Sequence, residues 1–283
     1  MTNSTLTEDP VARGAALYDH GATTVFASGF DPRIAYCLYV PEAAQIGPDT
    51  RIVAVIHGTD RDFLGYRDAF APLGRWKNCI IVSPLFPVGL FGDGNRDGYK
   101  HLREGDMRYD EALIAIVEEV AARYGIDGSR FGLWGFSGGG QFTNRFLLVH
   151  PERLWAASVG APGSVTRIDD DHDWWPGTRD FAERFGKPLD LVSLQQLPVQ
   201  MVVGKADLET WEITHQPGSK HWTEGANDAG RTRPERLTSL ARSFEAAGMG
   251  VRLEIVPNMP HDSARATDRV TSFFAETLDK LRR

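Results

Sequence analysis

The chain has 283 residues, of which 42% are hydrophobic, 10% aromatic and 24% charged, and it carries a net charge of −7. That mixture excludes a disordered chain, a collagen-like repeat and a coiled coil. Folding at this length hides roughly 75% of the surface an unfolded chain exposes, so a core needs no disulfide or metal. The acidic balance leaves no broad surface to track phosphates, and nucleic acid is not an expected partner.

In chain order, residues 1–10 are polar and acidic, with neither a basic n-region nor an apolar h-region, so the expected location is the cytoplasm. No segment approaches about 18 consecutive apolar residues, so no membrane is expected either. Short β-branched runs then mark strands at 23–27 and 34–40, read as an antiparallel pair. Six more follow at 52–56, 79–82, 131–135, 156–159, 199–203 and 251–256, most of them continuous rather than alternating, as strands covered on both faces should be. Helical periods occupy 109–124, 139–149, 234–247 and 263–281. In the first of these Ala112, Leu113, Ile116, Val117 and Val120 share a stripe opposite Glu118, Glu119 and Arg123. The alternation predicts an α/β fold: one domain over 1–283, with an eight-stranded, mostly parallel sheet and helices on both faces.

Three connections, 83–107, 162–197 and 208–233, are too long to be plain turns. The latter two hold Trp174, Trp175, Trp211 and Trp222, four of the seven tryptophans, which favours folded flaps over disorder. The only two cysteines, Cys37 and Cys79, fall inside strand runs and read as buried structural thiols. No C-x-x-C or Cys/His cluster exists, and His215 and His221 lack a spaced third ligand, so no metal is assigned.

The sharpest signal is Gly135-Phe136-Ser137-Gly138-Gly139, where an apolar strand runs into a glycine turn and a periodic helix. A G-x-S-x-G turn is weak evidence alone, but this setting puts a serine at the tip of a strained strand-to-helix junction. Gly135 and Gly139 are read as positions where a Cβ would collide across the turn, and the Gly138 N–H as a donor to a developing oxyanion. No lysine follows, as a phosphate-binding loop would require.

On these residues the chain resembles the α/β-hydrolase superfamily over nearly its whole length. The turn, with His150-Pro151-Glu152-Arg153, is also locally similar to depolymerase-like and feruloyl-esterase-like members. The resemblance implies the order Ser, Asp or Glu, then His. His261, after the last strand, then becomes the base; Asp207, after Val202-Val203-Gly204, becomes the acid. Glu209 is the near rival for that role, and Asp169, Asp170 and Asp171 are remoter ones. Thr59, after His57-Gly58, would supply the second oxyanion N–H, with His57 holding the loop. The resemblance further implies a short cap at 163–197 and no cofactor.

Substrate binding is assigned to Asp60, Phe136, Trp174, Trp175 and Trp211, with ordinary packing of the flaps as the competing reading of the tryptophans. Residues 93–104 fit the calcium-loop spacing D-x-N-x-D-G-x5-E, but Pro84, Pro87, Gly89 and Gly92 replace the first flanking helix and Lys100 fills an aliphatic position. The segment is therefore read as an Asx- and glycine-built loop over the site. The expected activity is cleavage of a small or medium carboxylic ester through an acyl-enzyme. An amidase, a lactonase, a carbon–carbon bond hydrolase, a non-catalytic binding protein and a homo-oligomer all remain open.

Overall fold

The computed structural model describes residues 13–14 and 17–282; the polar stretch 1–10 lies outside them. An eight-stranded sheet forms the centre, in the order β1-β2-β4-β3-β7-β8-β9-β10. Its members are β1 (Gly21–Ala27), β2 (Ala35–Val40), β3 (Arg51–Ile56), β4 (Cys79–Leu85), β7 (Phe131–Phe136), β8 (Leu154–Gly160), β9 (Val199–Gly204) and β10 (Val251–Val256). A separate ribbon pairs β5 (Arg103–Glu104) with β6 (Met107–Arg108). As expected, β1 and β2 are antiparallel and the sheet is mostly parallel: β2 is also antiparallel to β4, and every later pairing within this sheet is parallel.

The continuous apolar runs lie at the centre: every residue from Ile52 to Ile56 is fully buried, as are Phe131, Leu133 and Val159. β10 is the exception. It ends the sheet, pairs only with β9, and is half-exposed along its length. Cys37 and Cys79 lie in β2 and β4, and burial pushes both thiols up to about 12. Among the described residues no helix is long and apolar enough to cross a membrane.

One long helix is absent from the sequence reading. α1 (Phe63–Lys77) links β3 to β4 despite Gly65, Pro72 and Gly74. Asp62 caps it by accepting from the Gly65 N–H at 3.0 Å, and Asn78 ends it in the left-handed region. Tyr66, Phe70 and Leu73 face inward at helical spacing. At Gly74 a Cβ would meet the Tyr39 ring at 2.6 Å, so the glycine that weakens helix propensity also allows the close approach to β2.

The remaining helices packed around the sheet are α2 (Tyr109–Tyr124), α3 (Gly138–Val149), α4 (Phe181–Phe185), α5 (Leu191–Gln196), α6 (Arg233–Ala246) and α7 (Ala264–Leu281). The stripe expected on α2 is buried as read, and Gly125 caps its end. α3 is buried on nearly all sides, so its polar side chains need partners. Asn144 exchanges hydrogen bonds with the backbone of Thr166, and Arg145 spends its guanidinium on Lys100, Ser164 and Thr166. The 163–197 segment contains two short helices, α4 and α5, and Lys187 pairs with Glu152 just before β8, at the end of the sheet opposite the strand C-termini.

Candidate active site

In an open parallel sheet the crevice for chemistry forms where neighbouring connections leave in opposite directions, at the carboxyl ends of the strands. Here that point lies between β3 and β7, since β4 flanks β3 on one side and β7 on the other. The register pairs Ile56 with Gly135, so the segments after each, His57-Gly58-Thr59 and Phe136-Ser137-Gly138, emerge side by side.

Ser137 adopts φ 57° and ψ −114°, a strained conformation for an L-residue that costs about 1–3 kcal/mol. Its surroundings enforce the turn. A Cβ on Gly135 would lie 2.2 Å from the Gly139 carbonyl oxygen, and one on Gly139 would lie 2.2 Å from that of Ile56. The glycine requirement read from the sequence therefore holds, but Gly139 answers to the end of β3 rather than to its own turn.

The Thr59 loop is oriented by two groups. Phe86 N–H donates to His57 Nε2 at 3.0 Å, which fixes the proton on Nδ1, and Nδ1–H donates to the Gly58 carbonyl at 2.7 Å. Arg61 N–H binds that same carbonyl at 3.2 Å. Because a trans peptide points its N–H opposite its C=O, the Thr59 N–H is turned the other way. Among the described residues neither Thr59 N–H nor Gly138 N–H meets a protein acceptor. A Cβ on Gly138 would lie 3.2 Å from Thr59 Oγ1, so the two residues are neighbours. His57 is wholly buried, and burial lowers its pKa to about 3; it is a neutral strut.

The other two residues meet because β9 and β10 are in register, with Gly204 opposite Val256. Beyond the strands Lys205 N–H binds the Val256 carbonyl at 2.8 Å and Ala206 N–H binds that of Met259 at 3.0 Å, zipping the two loops together. Asp207 then accepts from His261 Nδ1 at 2.6 Å. Its other oxygen accepts from Arg233 Nη1 at 3.1 Å, while Arg233 Nη2 binds Glu212 at 2.7 Å. The Asp207 carboxylate is fully buried, whereas His261 is partly open.

Ser137 and His261 line one cavity of about 200 Å³, together with Thr59, Asp60, Phe136 and Glu212. The Phe136 ring lies 4.8 Å from that of His261. A larger, more open groove of about 890 Å³ beside Arg167 and Arg242 contains none of these residues. Of the rival acids, Asp169 binds His172 and Arg167, and Glu209 is exposed.

The tryptophans assigned to substrate binding lie elsewhere. Trp174 packs edge-on against Phe181 and Phe185, Trp211 is 77% exposed, and buried Trp175 donates to the His221 carbonyl. None of the three lines the Ser137 cavity, and neither does any residue of 163–197; the flap that reaches it is 208–233, through Glu212. In the 93–104 loop the acidic and amide groups engage one another. Asn95 and Asp97 N–H groups bind the side chains two residues earlier, Lys100 pairs with Asp97, Asn95 binds Glu104, and Tyr109 also binds Glu104.

Three residues that shape the site went unread in the sequence: Glu212, Arg233 and Arg61. Arg61 binds the carbonyls of Thr59, Phe86 and Arg96 and lies over the Tyr99 ring. No local motif marks any of them: Glu212 and Arg233 act on each other across 21 positions, and Arg61 binds distant Phe86 and Arg96 as well as nearby Thr59.

By sequence the chain matches no protein-family model and no curated protein. By structure it is similar to poly(aspartic acid) hydrolase-1 from Sphingomonas sp. KT-1, with 21% identity, 89% of this chain and 97% of that one covered, and a TM-score of 0.71. It is equally similar to a poly(3-hydroxybutyrate) depolymerase from Bordetella parapertussis, with 21% identity, 94% and 97% coverage and a TM-score of 0.71. An S-formylglutathione hydrolase from Agrobacterium tumefaciens superposes with 16% identity, 92% and 98% coverage and a TM-score of 0.55. With its sheet order, its strained serine turn and these neighbours, the chain has the α/β-hydrolase fold.

Proposed function

We propose that this protein is a serine hydrolase acting on a carboxylic ester of a small or medium molecule. The observation that carries the reading is the Asp207–His261 bond of 2.6 Å beside a strained Ser137 in one cavity. Neighbours named as esterases, hydrolases and a depolymerase support it. The two buried, unbridged cysteines are in keeping with work in the cytoplasm.

In this mechanism Ser137 Oγ attacks the ester carbonyl while His261 Nε2 takes its proton. Asp207 holds Nδ1–H, fixes the tautomer and stabilises the imidazolium. The Thr59 and Gly138 N–H groups receive the oxyanion; each such donor is worth about 2.7–4 kcal/mol in the transition state. Collapse breaks the C–O bond, and the alcohol leaves with the proton from His261. Water, deprotonated by His261, then attacks the acyl-enzyme, and the acid and free Ser137 are released. Asp60 and Phe136 line the path of the substrate.

The test is intact-mass spectrometry after fluorophosphonate treatment. One adduct is expected on the wild type and none on Ser137→Ala, with esterase turnover falling by at least about 10⁴-fold in the variant. A folded wild type that takes no adduct and turns over no p-nitrophenyl ester would establish a binding protein on this scaffold instead.

A further inference from the structure

A second cavity, about 70 Å³, adjoins the first and shares Glu212 with it. Lys100, His101, Gln141, His215 and His221 also line it. It sits beside the serine turn: a Cβ on Gly138 would lie 2.9 Å from Lys100 Cε, and the Gln141 N–H binds the Ser137 carbonyl one helical turn on.

Three imidazoles crowd this space. His101 and His221 stack with centroids 4.2 Å apart and planes 12° from parallel, and Trp175 bridges to both His101 and His215. His215 and His221 hydrogen-bond to the protein through backbone atoms. Among the described residues none of the three rings has a hydrogen-bonded protein partner, and His221 Nε2 is also shut off from solvent. A buried polar atom left without a partner costs about 1–3 kcal/mol, so His221 Nε2 calls for a partner inside the cavity, which the open nitrogens of His101 and His215 can share.

The chemistry of that ligand follows from what is already paired. Lys100 is bound to Asp97 at 2.6 Å, and Glu212 to Arg233 at 2.7 Å. The Arg145 guanidinium, 5.0 Å from the Trp175 ring, gives one hydrogen bond from each nitrogen to Thr166, Lys100 and Ser164, and it does not line the cavity. Gln141 Oε1 accepts from Ser164, which leaves its amide N–H groups to donate. Burial holds His101 and His221 below the usual histidine range and His215 at about 4, aided by Arg236 and Arg145. Each ring is therefore neutral near pH 7 and offers one donor and one acceptor. Each charged side chain that lines the cavity already has a partner of opposite charge, so a charged ligand would have to displace one, and a hydrocarbon would leave the nitrogens unpaired. Hydroxyl groups, which both donate and accept, satisfy them.

We infer that this pocket is a substrate subsite for a hydroxyl-bearing group, a diol or sugar-like alcohol, of the ester cleaved at Ser137. The inference rests on the hydrolase reading for its place in catalysis. The three histidines and the Gln141 amide, all of which line the cavity, fix the polar group. Among the described residues no group of three His, Cys, Asp or Glu is placed to hold a metal.

The experiment compares matched esters: 2,3-dihydroxypropyl against propyl butyrate for the alcohol side, and methyl 2,3-dihydroxypropanoate against methyl propanoate for the acyl side. In the wild type one hydroxylated member is expected to exceed its plain partner about tenfold or more in kcat/KM. His215→Leu and His221→Leu should each bring that ratio close to one, while His215→Gln, which keeps a donor and an acceptor, retains part of it. The ratio within each protein is the readout, so a general loss of activity moves both esters alike. Calorimetric binding of the same pairs to Ser137→Ala gives the preference without turnover. A ratio near one in both wild-type pairs, a ratio untouched by the leucine variants, or a preference abolished by EDTA would overturn the subsite. A calorimetric preference without a fluorophosphonate adduct would overturn the hydrolase reading and leave the subsite standing.

Discussion

Arg233 joins Asp207 to the 208–233 flap, and its side chain is 1% exposed. One nitrogen holds Asp207 Oδ1, another holds Glu212, and Nε has no partner among the described residues. Removing one member of a buried pair leaves its partner charged and desolvated. Arg233→Met should therefore lower stability by about 3–5 kcal/mol, measured by urea unfolding. It should also lower kcat by about 10²-fold in protein held well below its transition, because Asp207 loses the bond that fixes its angle to His261. Activity equal to wild type in the folded fraction would mean that Asp207 is held by its backbone alone. None of this was legible in the sequence. Arg233 reads as the last residue of the 208–233 connection, and its partners lie 26 and 21 positions away.

At the scale of elements, the strand-turn-helix unit around Ser137 was readable because its constraint is local: strand, glycine turn and periodic helix adjoin in the chain. The reason for Gly139 is not local. Its Cβ position lies 2.2 Å from the Ile56 oxygen and 2.8 Å from that of His57, both at the end of a strand paired by folding. Gly139→Ala should force β3 and α3 apart, costing about 3 kcal/mol, and shift Thr59 relative to Ser137. The expected outcome is a lower melting temperature with a larger loss of kcat than of ester affinity. Gly250→Ala, where a Cβ meets nothing within 4 Å, serves as the control. α1 escaped the sequence reading for the opposite reason. Gly65, Pro72 and Gly74 weaken its propensity, and what stabilises it is Tyr66, Phe70 and Leu73 buried against the sheet. The tryptophan-rich 162–197 connection was legible as folded but not as to place, since composition does not say which cavity a flap faces.

For the whole molecule, acid stability turns on buried neutral histidines. His57 titrates near 3 when folded against the ordinary 6.5, so below pH 6.5 the unfolded chain takes up a proton that the folded one refuses. The stability it contributes is complete above pH 6.5 and is lost progressively as the pH falls toward 3. Between pH 6.5 and 5 this one residue, fully buried, accounts for about 2 kcal/mol. His215 and His101 act in the same direction. Urea midpoints should thus fall from pH 7 to pH 5, a range above that in which the lowered carboxylates begin to protonate, and the slope should be shallower in His57→Gln. A flat profile would mean that His57 is protonated in the folded state.

The sequence by itself determined the α/β class, the number of sheet strands and the glycines of the turn. Each is written in neighbouring residues, as periodicity or as backbone freedom, and survives without knowledge of the rest of the chain. Only the tertiary structure decided that Arg233 and Glu212 brace Asp207, that the tryptophans lie outside the Ser137 cavity, and that three neutral histidines share a second pocket. Those facts depend on which strand ends stand side by side. The register of β3 with β7 and of β9 with β10 sets them, and backbone hydrogen bonds between distant segments set the register.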